Sequence, residues 1–169
     1  MPAQTFITLD PATGSLKQQT AVTTGTAFSI PSLDTNGQLA ANMMPPGIGA
    51  DLYNAVTSEN LSAGNFVNIY NNAGTPTVRK ADATDGSKRA HGYVKVAVTS
   101  PAAVDVYCDG ENSVLSGLTP GSRYFLSASS PGTATTTPPS TSGNLVQYLG
   151  TAFSATVLGF RPADGVVLS

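Results

Sequence analysis

The stretch that most constrains the fold runs from residue 61 to residue 98, where apolar residues alternate with polar ones between glycine-containing turns. A period of two places successive side chains on opposite faces, as in a half-buried strand. Val94, Val96 and Val98 are therefore predicted to share one face of a strand, with Tyr93 on the other. The alternation therefore favours a series of β-strands. The stretch contains no arrangement of residues typical of a catalytic site, so we expect it to act as a scaffold.

Short segments of the same kind continue to the C-terminal end, with turn residues such as Asn71 to Gly74, Asp109-Gly110 and Pro131-Gly132 between them. About seven short strands at this spacing favour a sandwich or a barrel. A helical turn is conceivable only in residues 14–25 and 51–60, where Asp51 could act as the cap. The predicted strands are residues 66–70, 77–81, 93–98, 102–108, 123–127, 145–149, 155–160 and 166–168.

The composition changes near Asp51. Residues 1–50 are rich in Thr, Gln, Pro and Gly, and their brief apolar groups are too sparse to close a core. The segment from Met43 to Gly47 has two consecutive prolines, which suit neither a helix interior nor a central strand. We therefore predict an all-β chain, with a small barrel or sandwich over residues 51–169 and an extended, mostly irregular N-terminal arm over residues 1–50.

Charge and hydropathy limit the partners of the chain. Charged residues make up 11% of the sequence, against roughly 25% in an average domain. The net charge is −2, which gives no basic footprint for a phosphate backbone, so nucleic acid is not an expected partner. The N-terminal residues lack the pattern of a signal peptide, and no apolar run reaches the length of a membrane span. We expect a chain made and kept soluble in a cytoplasm, without a membrane partner.

The sequence offers little for catalysis. His91 is the single histidine and Cys108 the single cysteine, which excludes an intramolecular disulfide framework and a cysteine-rich zinc site. His91 is interpreted as a structural or surface residue and Cys108 as a core thiol. Paired carboxylates for glycoside hydrolysis stay open, because the fold sets their separation. However, the chain has no Trp to stack on sugars. We expect a non-enzymatic protein without a cofactor.

Asp105, Asp109 and Glu111 crowd around one predicted strand end, and carboxylates with nearby carbonyls are ligands that Ca²⁺ accepts. Their spacing does not match an EF-hand loop. The alternative is a solvated turn made by Asp109-Gly110. No metal site is predicted, and the calcium question stays open.

Two basic pairs, Arg79-Lys80 and Lys88-Arg89, are separated by acidic residues. They could meet an acidic patch on a neighbouring protein. Mixed charge of this kind is also typical of a solvated sheet edge that resists aggregation.

Three pieces of the chain resemble virion structural proteins of tailed bacteriophages, above all small capsid decoration (cement) proteins, and also head-fibre and tail-fibre modules. They are DTNGQLAANMMPPGIGAD at residues 34–51, LSAGNFVNIYNNAGTPTVRKADATDGSKRAHGYV at 61–94, and GLTPGSRYFLSASSPGTATTTPPSTSGNLVQYLGTAFSATVLGF at 117–160. Together with the segments between them they cover most of the chain. None of the three is a chemical motif.

The resemblance implies a β-barrel or β-tulip-like domain that binds the outer capsid surface as a homotrimer. It implies the major capsid protein as partner, neighbouring capsid subunits bridged to stabilise the head, and a location on the virion after synthesis in the bacterial cytoplasm. The alternative is a tail-fibre, head-fibre or baseplate module that binds host-surface glycans or fibre partners. That module would need an aromatic-lined groove around Tyr124, Phe125, Tyr148 or Phe153.

In either case we expect the arm to pack against another surface, because its sparse apolar side chains bury little area by themselves. Its apolar side chains could contact the capsid, or they could fold back onto the β-domain of the same chain. The predicted anchor residues are Phe6, Ile7, Leu9, Phe28, Ile30, Leu33, Met43, Met44 and Ile48.

Overall fold

The computed structural model describes residues 5–10, 12–20 and 51–169, and these residues form strands, turns and loops without a helix. The chain divides into two compact units, Met1–Gly49 and Ala50–Ser169. The all-β prediction is confirmed. Nothing in the described part of the chain is a helix long and apolar enough to cross a membrane. The arm and domain boundary at residue 50 stays a prediction.

The first unit contains an antiparallel hairpin of β1 (Thr5–Leu9) and β2 (Leu16–Thr20), with Leu9 opposite Leu16. Asp10 builds the turn, because its Oδ1 accepts a hydrogen bond from the Ala12 N–H at 2.9 Å. The Gly14 N–H also donates to the Asp10 carbonyl oxygen at 2.8 Å. The hairpin is more regular than the arm predicted from the sequence, and the possible helical turn within residues 14–25 is wrong where β2 lies.

The second unit begins with a closed five-stranded barrel. Its strands are β3 (Leu52–Thr57), β4 (Phe66–Asn72), β5 (Thr75–Lys80), β6 (Gly92–Tyr93) and β7 (Ala103–Tyr107). Their order around the barrel is β3-β5-β4-β6-β7, and within it only the β3–β5 pair is parallel. The conceivable helical turn within residues 51–60 is wrong, because β3 lies there and pairs with β7, with Ala55 opposite Val104.

Small aliphatic side chains fill the barrel, as a narrow barrel requires. The alternation of β7 directs Val104 and Val106 inward while Asp105 is exposed, as the sequence predicts. The buried members of this interior cluster are Ala55, Leu61, Val67, Val78, Val94, Val104 and Val106.

The rest of the unit contains seven further strands. They are β8 (Gly110–Asn112), β9 (Arg123–Leu126), β10 (Ala134–Thr135), β11 (Leu145–Val146), β12 (Tyr148–Ala152), β13 (Leu158–Phe160) and β14 (Val166–Val167). Five of them form an antiparallel sheet in the order β10-β9-β12-β13-β8, and β11 pairs with β14 in a separate two-stranded sheet.

A second core joins the sheet to the barrel. Phe66 and Tyr93 come from barrel strands, and their rings lie 5.6 and 5.4 Å from the ring of Phe160 on β13. All three side chains are almost fully buried, as are Leu126 and Leu158 of the sheet. Burial of each such side chain stabilises the fold by roughly 1.5–3 kcal/mol. The barrel and the sheet therefore belong to one cooperative unit.

The predicted strand through residues 93–98 is wrong beyond Tyr93. Val94 is fully buried but Val96 is 60% exposed, so they do not share a face. The Val94 N–H donates to the Asn65 carbonyl oxygen at 3.0 Å, and only Val98 returns to an isolated bridge with Leu61. The chain therefore leaves the barrel after β6 and pairs with the loop before β4.

The turn between β4 and β5 agrees with the sequence. Ala73 and Gly74 both have positive φ, 50° and 90°. The Gly74 N–H donates to Asn71 Oδ1 at 2.7 Å. Two successive residues with positive φ suit the twist of a tight hairpin.

Candidate interaction surfaces

The hairpin of the first unit carries exposed apolar side chains. Ile7 is 69% exposed and Leu16 is 75% exposed. The register pairs Ile7 with Gln18 and Leu9 with Leu16, so Ile7 and Leu16 lie on the same face of the hairpin. Leu16 is not among the anchors predicted from the sequence, and only its register opposite Leu9 reveals it.

Of the other eight predicted anchors, two lie in the described part of the chain. Phe6 and Leu9 lie on β1. The remaining six, Phe28, Ile30, Leu33, Met43, Met44 and Ile48, lie outside the described residues.

His91 has a structural contact. Its Nδ1 accepts a hydrogen bond at 3.0 Å from the backbone N–H of Ile69, which lies on β4. Burial, and secondarily the charge of Arg89, lowers the pKa of His91 from its ordinary value of 6.5. The neutral imidazole completes the edge of the barrel, and its Nδ1 lone pair is not free to take a proton from a substrate.

The three carboxylates considered for calcium are not brought together. Asp105 lies on the outside of β7, where its Oδ1 accepts a hydrogen bond from Asn54 Nδ2 at 2.6 Å. Glu111 lies on β8 of the other sheet, and Asp109 lies on the connection between these strands. Across residues 5–10, 12–20 and 51–169, no group of three or more His, Cys, Asp or Glu side chains could hold a metal ion.

Three of the four basic residues in the predicted pairs are already engaged within the chain. Lys80 Nζ lies 3.7 Å from Glu59 Oε2, and Lys88 Nζ lies 3.5 Å from Asp85 Oδ2. Arg79 donates from Nε to Asn68 Oδ1 at 2.9 Å and stacks on the ring of Tyr70. They border a cleft of about 310 Å³ with mixed charge. This arrangement supports a solvated edge more than a docking patch for an acidic partner.

Cys108 follows β7 and is half-buried against the barrel interior. Burial, with a smaller contribution from the charge of Asp51, raises the pKa of its thiol. A thiol with a raised pKa is a poor nucleophile. The interpretation of Cys108 as a core thiol therefore fits its surroundings.

A groove of about 250 Å³ lies between residues 63–65, 114–118 and 132–134 of the second unit. Its lining contains no acidic, basic or histidine side chain. Asn112 lies nearby and donates from Nδ2 to the Gly64 carbonyl oxygen at 3.1 Å. Its Oδ1 is buried and has no hydrogen-bond partner among the described residues. The groove lacks the titratable groups that acid–base catalysis requires.

The four aromatic residues considered for a glycan groove are divided between two faces of the second sheet. Tyr124 is buried in the core, and its hydroxyl oxygen accepts a hydrogen bond from the Thr119 N–H at 3.0 Å. Phe125 and Tyr148 lie on the opposite face, with ring centroids 6.0 Å apart. Phe153 follows β12 and is 61% exposed. Tyr124 therefore does not belong to any surface formed by the other three.

We call this side of the sheet the outer face, defined by Glu111, Arg123, Phe125, Tyr148, Thr151, Phe153 and Gly159. Pairing between strands places four of these residues in one row across the sheet, in the order Arg123, Thr151, Gly159 and Glu111.

Both halves of the outer face are well packed. Arg123 stacks over Tyr148, with its guanidinium carbon 4.9 Å from the ring centroid. Tyr148 and Thr151 share a hydroxyl–hydroxyl hydrogen bond of 2.8 Å.

On the other half of the face, the ring of Phe153 covers Gly159 at the position where a larger residue would have its Cβ. A tight turn fixes Phe153, since its N–H donates to the Val157 carbonyl oxygen at 2.8 Å. The face thus presents an exposed aromatic ring in a defined position.

No protein-family model matches the chain, and comparison with curated proteins finds no similar sequence.

Proposed function

We propose that the chain is a non-enzymatic decoration (cement) protein of a tailed-bacteriophage capsid. In this proposal it binds the outer capsid surface as a trimer and bridges neighbouring major capsid subunits. The resemblance of three sequence pieces to virion proteins supports this class of protein. The observation that carries the proposal is the hairpin of β1 and β2, which exposes Ile7 and Leu16 on one face.

The hairpin provides a suitable anchor because its backbone is already paired. Docking would bury the apolar face without the cost of about 1–2 kcal/mol per residue that ordering a free chain requires. Burial of an Ile or Leu side chain is worth about 1.5–3 kcal/mol. Three copies held in one trimer would add such contacts through effective concentration.

The second unit suits a rigid body that bridges subunits. Its barrel and sheet share one core, and ion pairs within the chain engage Lys80 and Lys88. His91 supports a non-enzymatic role, because a backbone hydrogen bond occupies its Nδ1.

The second candidate is a fibre or baseplate module. Phe125, Tyr148 and Phe153 on the outer face favour it, although Tyr124 is buried away from them. In this case the arm would be dispensable for attachment to the particle.

Substitution of the exposed hairpin residues tests the anchor. We expect Ile7→Asp and Leu16→Asp each to weaken binding to capsid shells about 10-fold or more, because each removes buried apolar area and adds a charge to be desolvated. The measurement is co-sedimentation of the purified chain with shells over a range of concentrations.

Val96→Asp is the matched control. Val96 lies on the other unit and is 60% exposed, and its substitution also replaces an aliphatic side chain with a carboxylate. We expect this variant to bind shells like the unchanged chain. If both hairpin variants bind as tightly as the control, the hairpin is not the anchor.

A further inference from the structure

We propose that the outer face binds the same face of a second copy of this chain. The two-fold axis would lie between the two sheets, parallel to the strands and between β12 and β13. A contact of this kind brings one surface patch against itself, so the patch must be complementary to its own rotated image. The outer face meets this requirement in charge and in shape.

The two ends of the row carry opposite charges. Arg123 on β9 and Glu111 on β8 are separated by three strand spacings, about 14 Å. Both are exposed, and neither takes part in an ion pair among the described residues. Rotation about the axis reverses the order of the strands and leaves the position along them unchanged. Each Arg123 therefore faces Glu111 of the second copy, and the contact contains two such pairs.

The two residues in the middle of the row are small. Gly159 has no side chain and Thr151 has a short one, which leaves space above β12 and β13. The ring of Phe153 fills the space above its own Gly159. After rotation that ring lies opposite Thr151 of the second copy, so the two Phe153 rings lie side by side. Face-to-face sheets are about 10 Å apart, which accommodates these layers.

A second copy fits this face better than an unrelated apolar partner. An unrelated surface without matching charges would bury Arg123 or Glu111 unpaired, which is costly. Among the described residues of this face, Phe153 is the one large hydrophobic side chain that is strongly exposed, so the contact is expected to be weak. The inference does not depend on the proposed capsid role, because it concerns the chain alone in solution.

Sedimentation velocity of the full chain tests the contact, over about 10 µM to about 1 mM, where weak interfaces associate. We expect a reversible step that doubles the mass of the smallest species. Arg123→Glu places two carboxylates against each other at both ends and should weaken association at least about 10-fold. Glu111→Arg should do the same with two cations.

The double variant Arg123→Glu with Glu111→Arg restores opposite charges and should restore association. Arg89→Glu is the control for a charge reversal on another part of the second unit and should associate normally. Urea midpoints identical to that of the unchanged chain verify folding of each variant. Absence of the doubling step in the unchanged chain, or failure of the double variant to recover it, would overturn the proposal.

Discussion

Buried polar side chains act in this protein as partners for backbone groups that strands leave unpaired. Gln147 is 2% exposed, and its Oε1 accepts a hydrogen bond from the Ala90 N–H at 2.7 Å while its Nε2 donates to the Ala90 carbonyl oxygen at 3.0 Å. His91 does the same for the Ile69 N–H. Each side chain thus takes the place of a neighbouring strand as the hydrogen-bond partner of the backbone. An unsatisfied buried group there would cost roughly 1–3 kcal/mol.

The burial of His91 makes the free energy of unfolding depend on pH. Because the folded state lowers the pKa of His91 below 6.5, the unfolded chain binds more protons just below pH 6.5. The contribution is fully present above 6.5 and is lost as the pH falls towards the lowered value. Asp85, whose pKa is lowered chiefly by hydrogen bonds from Ser87, loses its contribution only below its ordinary value of 3.8. The two pH windows are therefore separate.

We expect His91→Asn to flatten the pH dependence between about pH 7.5 and about pH 5, because an amide oxygen can accept from Ile69 without titrating. Urea unfolding at both pH values measures this. An unchanged loss of stability on acidification in His91→Asn would show that another group is responsible.

At the scale of elements, the sequence predicts where most strands lie but not how they pair. In β7 the sequence alternation matches the structure, because one face of the strand is buried and the other is exposed to solvent. Alternation fails at Val96, because a contact with the loop at Asn65 takes the chain out of the barrel after β6. The row from Arg123 to Glu111 joins four strands that are distant in sequence. Only the sheet order brings them together, so single-sequence patterns could not reveal the outer face.

Two barrel strands, β6 and β7, approach each other closely at Gly92. A Cβ at Gly92 would lie 2.6 Å from the Tyr107 carbonyl oxygen and against Val106. We expect Gly92→Ala to destabilise the fold by about 1–3 kcal/mol or more, because the backbone of β7 must move. Urea midpoints measure the change.

Gly86→Ala is the matched control. A Cβ there meets chiefly the side chain of Val167, which is exposed and can rotate away. Its cost should stay within about 0.5 kcal/mol. Equal costs at the two positions would contradict the tight barrel closure at Gly92.

At the scale of the whole molecule, the chain combines a cooperative β unit with a hairpin-bearing N-terminal unit. The all-β class follows from alternation and turn chemistry, whereas the hairpin does not, because residues 1–50 lack a strong periodic pattern. Of the nine predicted anchors, exposure of Ile7 is the one side-chain observation that bears on the arm. Together with the exposure of Leu16, it is the observation on which the proposed anchor rests.

The central proposal, a decoration protein on the capsid exterior, is tested most directly by antibody–gold labelling of intact virions that carry this chain. The account predicts dense, regular labelling over the whole head. Labelling confined to the tail or baseplate would contradict the capsid role and would favour the fibre module instead.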